Sequence, residues 1–264
     1  MERLSTNGIQ DGNRMNHTVQ TNHDVRFNFE TYIFDLDGTL LSTLEDLAAS
    51  CNYALRTHGM PERTLEEVRL FVGNGVKKLM ERAIPEGLQN PKFEDTYQTF
   101  RKHYMAHNLD STKPYEGVME MLESLKAKGK KIAVVSNKFY DATQALCKHF
   151  FGDLVDVAIG EREDIRKKPA PDTVMAALKQ LQASREGAVY IGDSDVDIMT
   201  ARNCEMPCIS VLWGFRDYDF LIEHGAAFKV TAGADIYKAD GTKVYNAGDV
   251  VAESLTTGTD GQVV

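Results

Sequence analysis

Short apolar runs alternate with amphipathic segments over most of this 264-residue chain. The runs are residues 31–34, 131–135, 155–159, 188–191 and 208–212. β-Branched and aromatic residues are frequent in them, as is typical of buried strands, and a segment with helical spacing follows each one. Short strands separated by helices favour a parallel sheet that is covered by helices on both faces. The sequence therefore predicts an α/β fold built on a doubly wound parallel sheet.

The first predicted strand ends in two carboxylates, Asp35 and Asp37. Residues two apart at the end of a strand project to the same side, and Gly38 then lets the chain turn sharply. Two close carboxylates repel each other unless a cation lies between them. An ordinary Asp-Gly turn is the structural alternative. The pair is otherwise a candidate Mg²⁺ site that also contains a nucleophile.

Polar residues also follow later parts of this pattern. Ser136 and Asn137 follow the second strand, Asp193 follows the fourth, and Asp197 lies one helical turn beyond Asp193. Lys168 lies in a proline-containing loop between them. Ligands of such sheets bind at the carboxyl ends of the strands, so we expect these residues to converge on Asp35 and Asp37. Together they meet the needs of phosphoryl transfer: a nucleophile, an acid/base, a divalent cation and donors to the phosphoryl oxygens.

Each of these residues alone has a simpler explanation. Ser136 and Asn137 could form a turn, Lys168 could be a solvated loop lysine, and Asp193 could cap a helix. Lys167 is an alternative to Lys168. The joint occurrence of the residues in this order is what favours a catalytic site.

These motifs resemble those of the haloacid dehalogenase-like (HAD) hydrolases over roughly residues 30–228. The matching positions are Asp35, Asp37 and Thr39 in the first motif, Ser136 in the second, Lys168 in the third, and Gly192, Asp193 and Asp197 in the fourth. The resemblance implies a Rossmann-like core with an inserted α-helical cap. An acid at Asp37 resembles the phosphatases of the family rather than its dehalogenases.

The resemblance also implies a role for each residue. Asp35 would be the nucleophile, forming an aspartyl-phosphate, and Asp37 would be the general acid and base. Mg²⁺ would be held by Asp35, the main-chain carbonyl of Asp37, and Asp193, while Asp197 would support the metal shell or orient Lys168. The phosphoryl group would be bound by Thr39, Ser136, Asn137 and Lys168.

The segment 43–111 has helical periodicity throughout and resembles the cap of phosphoglycolate phosphatases. Gly73 and Gly75 flank the start of a helix predicted over 76–84, where main-chain N–H groups could meet a substrate carboxylate. Lys77 would add positive charge at the same place.

The amino-acid composition limits the kinds of partner that the protein is expected to bind. A net charge of −9 argues against nucleic acid, and no apolar run reaches the ~20 residues that cross a bilayer. Four scattered cysteines do not form a disulfide framework. No apolar signal-peptide core is present, so we expect a cytoplasmic protein; its oligomeric state stays open.

The two ends differ from the centre. Residues 1–26 are polar and without periodicity, which predicts a disordered leader. The predicted core is 27–42 with 112–228, and the predicted cap is 43–111. Residues 229–264 resemble a truncated Cna-B-type repeat, with hairpins predicted at Asp240-Gly241 and Ala247-Gly248.

The expected function is a Mg²⁺-dependent phosphatase for a small phosphorylated metabolite similar to phosphoglycolate. The alternatives are a pyrophosphatase or a β-phosphoglucomutase-like phosphotransferase. A non-enzymatic phospho-accepting module also uses an aspartyl-phosphate but has no inserted cap. A surface protein is suggested by the tail alone.

Overall fold

The computed structural model describes residues 29–226, 228–230, 236–238 and 243–245. The predicted leader, 1–26, lies outside the described residues. So do the residues of both predicted tail turns, Asp240-Gly241 and Ala247-Gly248.

The strands follow the predicted pattern. In chain order they are β1 (Thr31–Phe34), β2 (Leu41–Ser42), β3 (Lys113–Pro114), β4 (Lys131–Phe139), β5 (Val157–Glu161), β6 (Ala188–Gly192), β7 (Cys208–Val211), β8 (Phe228–Val230), β9 (Ile236–Lys238) and β10 (Lys243–Tyr245). The main sheet has the order β10-β9-β8-β7-β6-β1-β4-β5. The six neighbouring strands β8, β7, β6, β1, β4 and β5 pair in parallel. Strand β1 lies inside this parallel part, between β6 and β4.

The helices lie between these strands. They are α1 (Leu44–Thr57), α2 (Leu65–Phe71), α3 (Val76–Ala83), α4 (Phe93–His107), α5 (Val118–Ala127), α6 (Tyr140–Phe151), α7 (Asp172–Leu181), α8 (Asp195–Asn203) and α9 (Tyr218–Glu223). Within the described ranges, none of them is long and apolar enough to pass through a bilayer.

Alternate residues of β4 pack on opposite faces of the sheet, as the period of a strand requires. Ile132 and Val134 are buried with side chains of α5 and α6. Ala133 and Val135 are buried with side chains of α7 and α8. Helices therefore cover both faces, which confirms the doubly wound α/β fold.

The helices α1–α4 pack around a hydrophobic cluster of their own, with Phe100 and Tyr104 of α4 fully buried in it. We call this unit the cap. The chain enters and leaves it through the short antiparallel pair of β2 and β3. Asp46 in α1 accepts hydrogen bonds from the main-chain N–H groups of Ser111 and Thr112. These bonds join the segment that enters the cap to the segment that leaves it.

Side chains cap the start of α2 but not that of α1, and β4 is longer than its apolar run. The capping box of Thr64 and Glu67 is present at the start of α2. Thr43, however, makes no side-chain capping bond at α1; its hydroxyl donates to Asp37 instead. Strand β4 continues to Phe139, beyond the end we predicted at Val135, with an irregular register to β5 after Val135.

The tail begins as part of the core sheet. Strand β8 pairs in parallel with β7, so the boundary drawn between residues 228 and 229 falls inside a core strand. Strands β9 and β10 then form an antiparallel pair.

Candidate active site

Asp35 directly follows β1, the central strand, and its side chain reaches the carboxyl edge of the sheet. The residue is buried, 8% exposed, and lines a cavity between the core and the cap. Its Oδ1 accepts a hydrogen bond from the N–H of Leu36 at 2.7 Å and lies 2.8 Å from Lys168 Nζ. The second oxygen of this carboxylate is therefore the one available to a ligand.

Asp193 and Asp197 follow the neighbouring strand, β6, and both are buried. Asp193 Oδ1 accepts from the Thr39 hydroxyl at 3.0 Å, and Oδ2 accepts from the N–H of Phe215 at 2.8 Å. Gly38 allows this packing, because its φ is +84° and a Cβ there would lie 2.4 Å from Asp193 Oδ2. The loops after three strands are thus held against one carboxylate.

Both carboxylate oxygens of Asp197 already contact neighbouring hydrogen-bond donors. Its Oδ1 lies 2.8 Å from Lys168 Nζ and accepts from the Tyr190 hydroxyl at 3.1 Å. Its Oδ2 accepts from the Ser194 hydroxyl at 2.6 Å and from the Ser194 N–H at 3.1 Å, and the second bond is part of a capping box at the start of α8. Its contacts favour the supporting role that the family resemblance implies.

Three buried carboxylates share one ammonium group at this edge. Burial and the charges of Asp197 and Asp193 raise the pKa of Asp35 well above its usual range, although Lys168 opposes this. Burial and the charge of Asp197 raise the pKa of Asp193 to about 7. Burial lowers the pKa of Lys168, but Asp197 and Asp35 outweigh it and the net pKa is raised. The cluster therefore has an excess of negative charge.

This donor set fits Mg²⁺. Among the residues that the structure describes, Asp35, Asp193 and Asp197 form the one group of potential metal-ligating side chains whose ligand atoms all lie within 4.8 Å of one another. All are hard oxygen donors of the kind that Mg²⁺ prefers. A divalent cation here would also favour the ionised form of the carboxylates. Asp35 and Asp193 are the members with oxygen capacity to spare.

Asp37 contacts residues outside this cluster. Its Oδ1 accepts from the Thr43 hydroxyl at 2.7 Å and lies 2.8 Å from Lys138 Nζ. Both contacts use the same oxygen. Because Asp37 also lines the cavity, its Oδ2 remains for a substrate.

The residues predicted to hold phosphate divide into two groups. Ser136 and Lys168 line the cavity beside Asp35. Thr39 does not line it, and its hydroxyl is directed to Asp193 instead. Asn137 lines it, but its side-chain amide is bonded to the main chain of Lys168 at 2.9 and 3.0 Å and to the Gly73 carbonyl at 3.3 Å. Thr39 and Asn137 therefore position other groups rather than present free donors.

The two candidate lysines are now distinguished. Lys168 Nζ lies between Asp35 and Asp197. Lys167 Nζ instead lies 3.1 Å from Glu161 Oε1, near the cap. Of the two lysines, Lys168 is therefore the one that contacts Asp35.

The cap forms the other wall of the cavity. Its contribution is apolar side chains and two glycines: Leu47, Val72, Gly73, Gly75, Val76 and Leu79. Lys77, predicted to face the substrate, is exposed and does not line the cavity. The cavity volume is about 30 Å³, which is room for only a few water-sized groups. A cavity of this size favours a small ligand.

A core loop holds the cap in this position. Arg216 donates to the carbonyls of Arg69 at 3.0 Å and Val72 at 2.8 Å, at the end of α2. Arg69 in turn donates to the carbonyl of Phe215. The Phe215 side chain packs into the cap cluster while its N–H donates to Asp193. Phe215 thus links the cap to the carboxylate cluster.

Sequence reasoning missed Lys138, which lines the cavity and contacts Asp37. The signal was available, because a strand that continues past Val135 places residues 136 and 138 on the same side. It also missed Tyr104 and Tyr190, whose hydroxyls contact Lys138 and Asp197. No local motif marks these tyrosines, although Tyr190 lies only 7 residues before Asp197, whereas Tyr104 lies 34 residues before Lys138.

Comparisons with known proteins agree with this geometry. The family model "Haloacid dehalogenase-like hydrolase" matches residues 32–211. A phosphoglycolate phosphatase of Aquifex aeolicus is 34% identical over 185 residues, which is 69% of this chain and 84% of that protein. A protein of Caldanaerobacter subterraneus subsp. tengcongensis named "Putative pyrophosphatase PpaX" is 32% identical over 190 residues, which is 72% of this chain and 84% of that protein.

Solved structures show the same fold. The crystal structure of a protein from Lactobacillus delbrueckii subsp. bulgaricus, titled "putative phosphoglycolate phosphatase", superposes with a TM-score of 0.74 at 37% identity. The match covers 77% of this chain and 95% of that one. The similarity therefore includes both the core and the helical insert.

Proposed function

Because the chain belongs to the haloacid dehalogenase-like hydrolase family, in its phosphoglycolate phosphatase-like branch, we propose that it is a Mg²⁺-dependent phosphatase acting through an aspartyl-phosphate. The observation that carries the proposal is the position of Asp35. It lies beside Lys168, within reach of Asp193, and lines the same cavity as the acid/base Asp37. Bound Mg²⁺ would be held by Asp35, Asp193 and the Asp37 carbonyl, and would offset the negative charge of the substrate.

Asp35 attacks the phosphorus of the ester. The new bond forms between phosphorus and a carboxylate oxygen of Asp35 as the bond to the leaving oxygen breaks, and Asp37 gives its proton to that oxygen. Lys168 and the Ser136 hydroxyl bind the phosphoryl oxygens during the transfer. Asp37 then takes a proton from a water molecule that attacks the aspartyl-phosphate, which releases phosphate and restores Asp35.

The cavity favours a small phosphorylated carboxylate. Its cap wall is apolar except at Gly73 and Gly75, where the start of α3 presents main-chain N–H groups. Such a helix end binds a carboxylate. In phosphoglycolate a single methylene group joins the phosphate oxygen to the carboxylate, so the molecule is small and has one anionic group for Lys168 and one for this helix end. The phosphoglycolate phosphatase of Aquifex aeolicus supports the same substrate.

A panel of phosphate compounds with Mg²⁺ tests the substrate. It contains 2-phosphoglycolate, glycerol 3-phosphate, pyrophosphate and glucose 1-phosphate, each measured as released phosphate. We expect the highest kcat/KM with 2-phosphoglycolate. A preference for glycerol 3-phosphate would contradict the carboxylate assignment, and no release from any compound would contradict the phosphatase proposal.

Pyrophosphatase is the second candidate, because the relative from Caldanaerobacter carries that name. Pyrophosphate is also small, and its second phosphate could bind at the start of α3 as a carboxylate would. The same panel separates the two functions, since a pyrophosphatase would release phosphate fastest from pyrophosphate.

Gly75→Ala should weaken binding of 2-phosphoglycolate. Gly75 has a φ of +88° and ψ of 160°, a conformation that residues with a side chain rarely adopt. A Cβ there would lie 3.1 Å from Lys167 Nζ and 3.3 Å from the Asn137 carbonyl, both on the core. We expect the cap to be displaced and KM to rise roughly tenfold, equivalent to about 1.4 kcal/mol.

Gly117→Ala is the matched control. Gly117 also has a positive φ, +79°, but a Cβ there would have no atom within 4 Å. We expect it to lower the unfolding temperature while KM stays unchanged. Equal values of KM in both variants would contradict the role of Gly75 at the boundary between cap and core.

A further inference from the structure

Lys138 is a buried cation in the cavity wall. Its side chain is 1% exposed. Its Nζ lies 2.8 Å from Asp37 Oδ1 and 2.7 Å from the Tyr104 hydroxyl, and 4.6 Å from the centroid of the Tyr104 ring. A buried ammonium group requires such partners, because losing one leaves an uncompensated charge. The two contacts therefore determine where Lys138 lies.

These partners come from different parts of the fold. Asp37 follows the central strand of the core, and Lys138 lies in β4 beside it. Tyr104 lies in α4 of the cap, where it is fully buried and stacks on Phe100 at 5.6 Å. Lys138 is thus a direct polar link between the cap and the acid/base.

The link acts on one oxygen of Asp37. Lys138 and the Thr43 hydroxyl both contact Oδ1, and Thr43 lies where the chain enters α1 of the cap. Charge-assisted hydrogen bonds are short and strongly oriented. Two of them on Oδ1 fix the plane of the carboxyl group and leave Oδ2 toward the cavity that Asp37 lines.

We propose that Lys138 and Tyr104 are positioning residues that hold Asp37 ready to protonate the leaving group only while the cap is seated on the core. Tyr104 holds the Lys138 ammonium, and Lys138 holds Oδ1. The proton then moves from Asp37 Oδ2 to the leaving oxygen as the bond from phosphorus to that oxygen breaks. This inference rests on the proposed phosphatase function.

The dependence on the leaving group tests the inference. The alkoxide that leaves 2-phosphoglycolate is strongly basic and needs a proton as it departs. The anion that leaves p-nitrophenyl phosphate is a weak base and departs without one. A general acid contributes about 10²- to 10⁴-fold. Loss of its positioning should therefore slow the alkyl ester far more than the aryl ester.

Three variants are compared with the parent. Tyr104→Phe keeps the ring and removes the hydroxyl, and Lys138→Met removes the charge. Tyr97→Phe is the control, since Tyr97 lies in the same helix and packs against Phe139 of the core at 6.5 Å. We expect kcat/KM, which reports the first phosphoryl transfer and not the shared hydrolysis of the aspartyl-phosphate, to fall for 2-phosphoglycolate about tenfold in Tyr104→Phe and about a hundredfold in Lys138→Met. The fall for p-nitrophenyl phosphate should be less than about threefold in both, and Tyr97→Phe should be unchanged for both esters.

Two results would overturn the inference. One is an equal fall for both esters, which indicates a structural role or loss of phosphate binding. The other is no fall in Tyr104→Phe and Lys138→Met. If Lys138→Met does not fold, the conservative Tyr104→Phe decides.

Failure of the proposed function has a different signature, namely a parent protein that turns over no alkyl phosphate. Amide hydrogen exchange in α4 then decides the positioning inference without activity. Faster exchange in Tyr104→Phe than in Tyr97→Phe would support the link between cap and core, and equal exchange would overturn it.

Discussion

Asp35→Asn is expected to abolish phosphate release from every compound in the panel, with a fall in kcat of at least about a thousandfold. An amide has the size of the carboxylate but cannot act as a nucleophile toward phosphorus. The substitution should not unfold the protein, because it removes one of three crowded carboxylates while Lys168 keeps its contact with Asp197. The measurement is kcat and KM for 2-phosphoglycolate in parent and variant.

The covalent intermediate gives a second measurement of the same prediction. Acid quenching during turnover should trap a phosphoryl group on the parent, and peptide mapping should locate it at Asp35. Asp153→Asn is the control, because Asp153 is an exposed core acid away from the cavity. Turnover by Asp35→Asn within about threefold of the parent, or a label on another residue, would show that Asp35 is not the nucleophile.

The arrangement around Asp35 could be predicted because parallel strands fix it. Asp35 and Asp193 follow neighbouring strands, β1 and β6, which are paired along their length. Once both were identified as strands of one parallel sheet, their carboxylates had to meet at one edge. The meeting of Asp35 and Asp193 could therefore be predicted from the arrangement of the strands, without knowledge of any contact between side chains.

Hydrogen-bond partners could not be predicted in the same way. Thr39 and Asn137 have donors suited to phosphate, yet the fold uses them for Asp193, Lys168 and Gly73. The choice depends on loop geometry within a few tenths of an ångström, which residue types do not encode.

Contacts between the cap and the core are the hardest to predict from the sequence. Tyr104 contacts Lys138, which is 34 residues away along the chain, and Arg216 contacts Val72, which is 144 residues away. The helical periodicity of α4 predicts that Tyr104 is buried, but not that its hydroxyl meets a core lysine. The orientation of the cap on the core decides these pairs, and Lys77 was wrongly placed toward the substrate for the same reason.

Removal of Mg²⁺ is the other change with a large expected effect. Chelation should reduce hydrolysis of 2-phosphoglycolate to background, and added Mg²⁺ should restore it, because three buried carboxylates repel an anionic substrate unless a cation offsets them. Asp193→Asn should raise the Mg²⁺ concentration needed for half-maximal rate by at least about tenfold. Asp153→Asn is again the control, since Asp153 is an exposed acid outside the cluster. Full activity after chelation would exclude a metal requirement.

The pH dependence of stability tests the same cluster without measuring activity. The pKa of Asp193 is about 7 in the folded metal-free protein, against about 3.8 for an ordinary aspartate. Between these values the folded state binds more protons than the unfolded state, so the free energy of unfolding falls as pH rises from about 4 to 7. The slope is about 1.4 kcal/mol per pH unit for one proton.

Binding of Mg²⁺ competes with binding of these protons, so Mg²⁺ should stabilise the parent more at pH 7.5 than at pH 5. We expect the stabilisation by Mg²⁺ to grow by roughly 1.4 kcal/mol for each pH unit between the two pKa values. Thermal unfolding of the parent and Asp193→Asn, with and without Mg²⁺, measures this difference. A Mg²⁺ effect that is equal at both pH values in the parent would show that the cation does not bind the buried carboxylates.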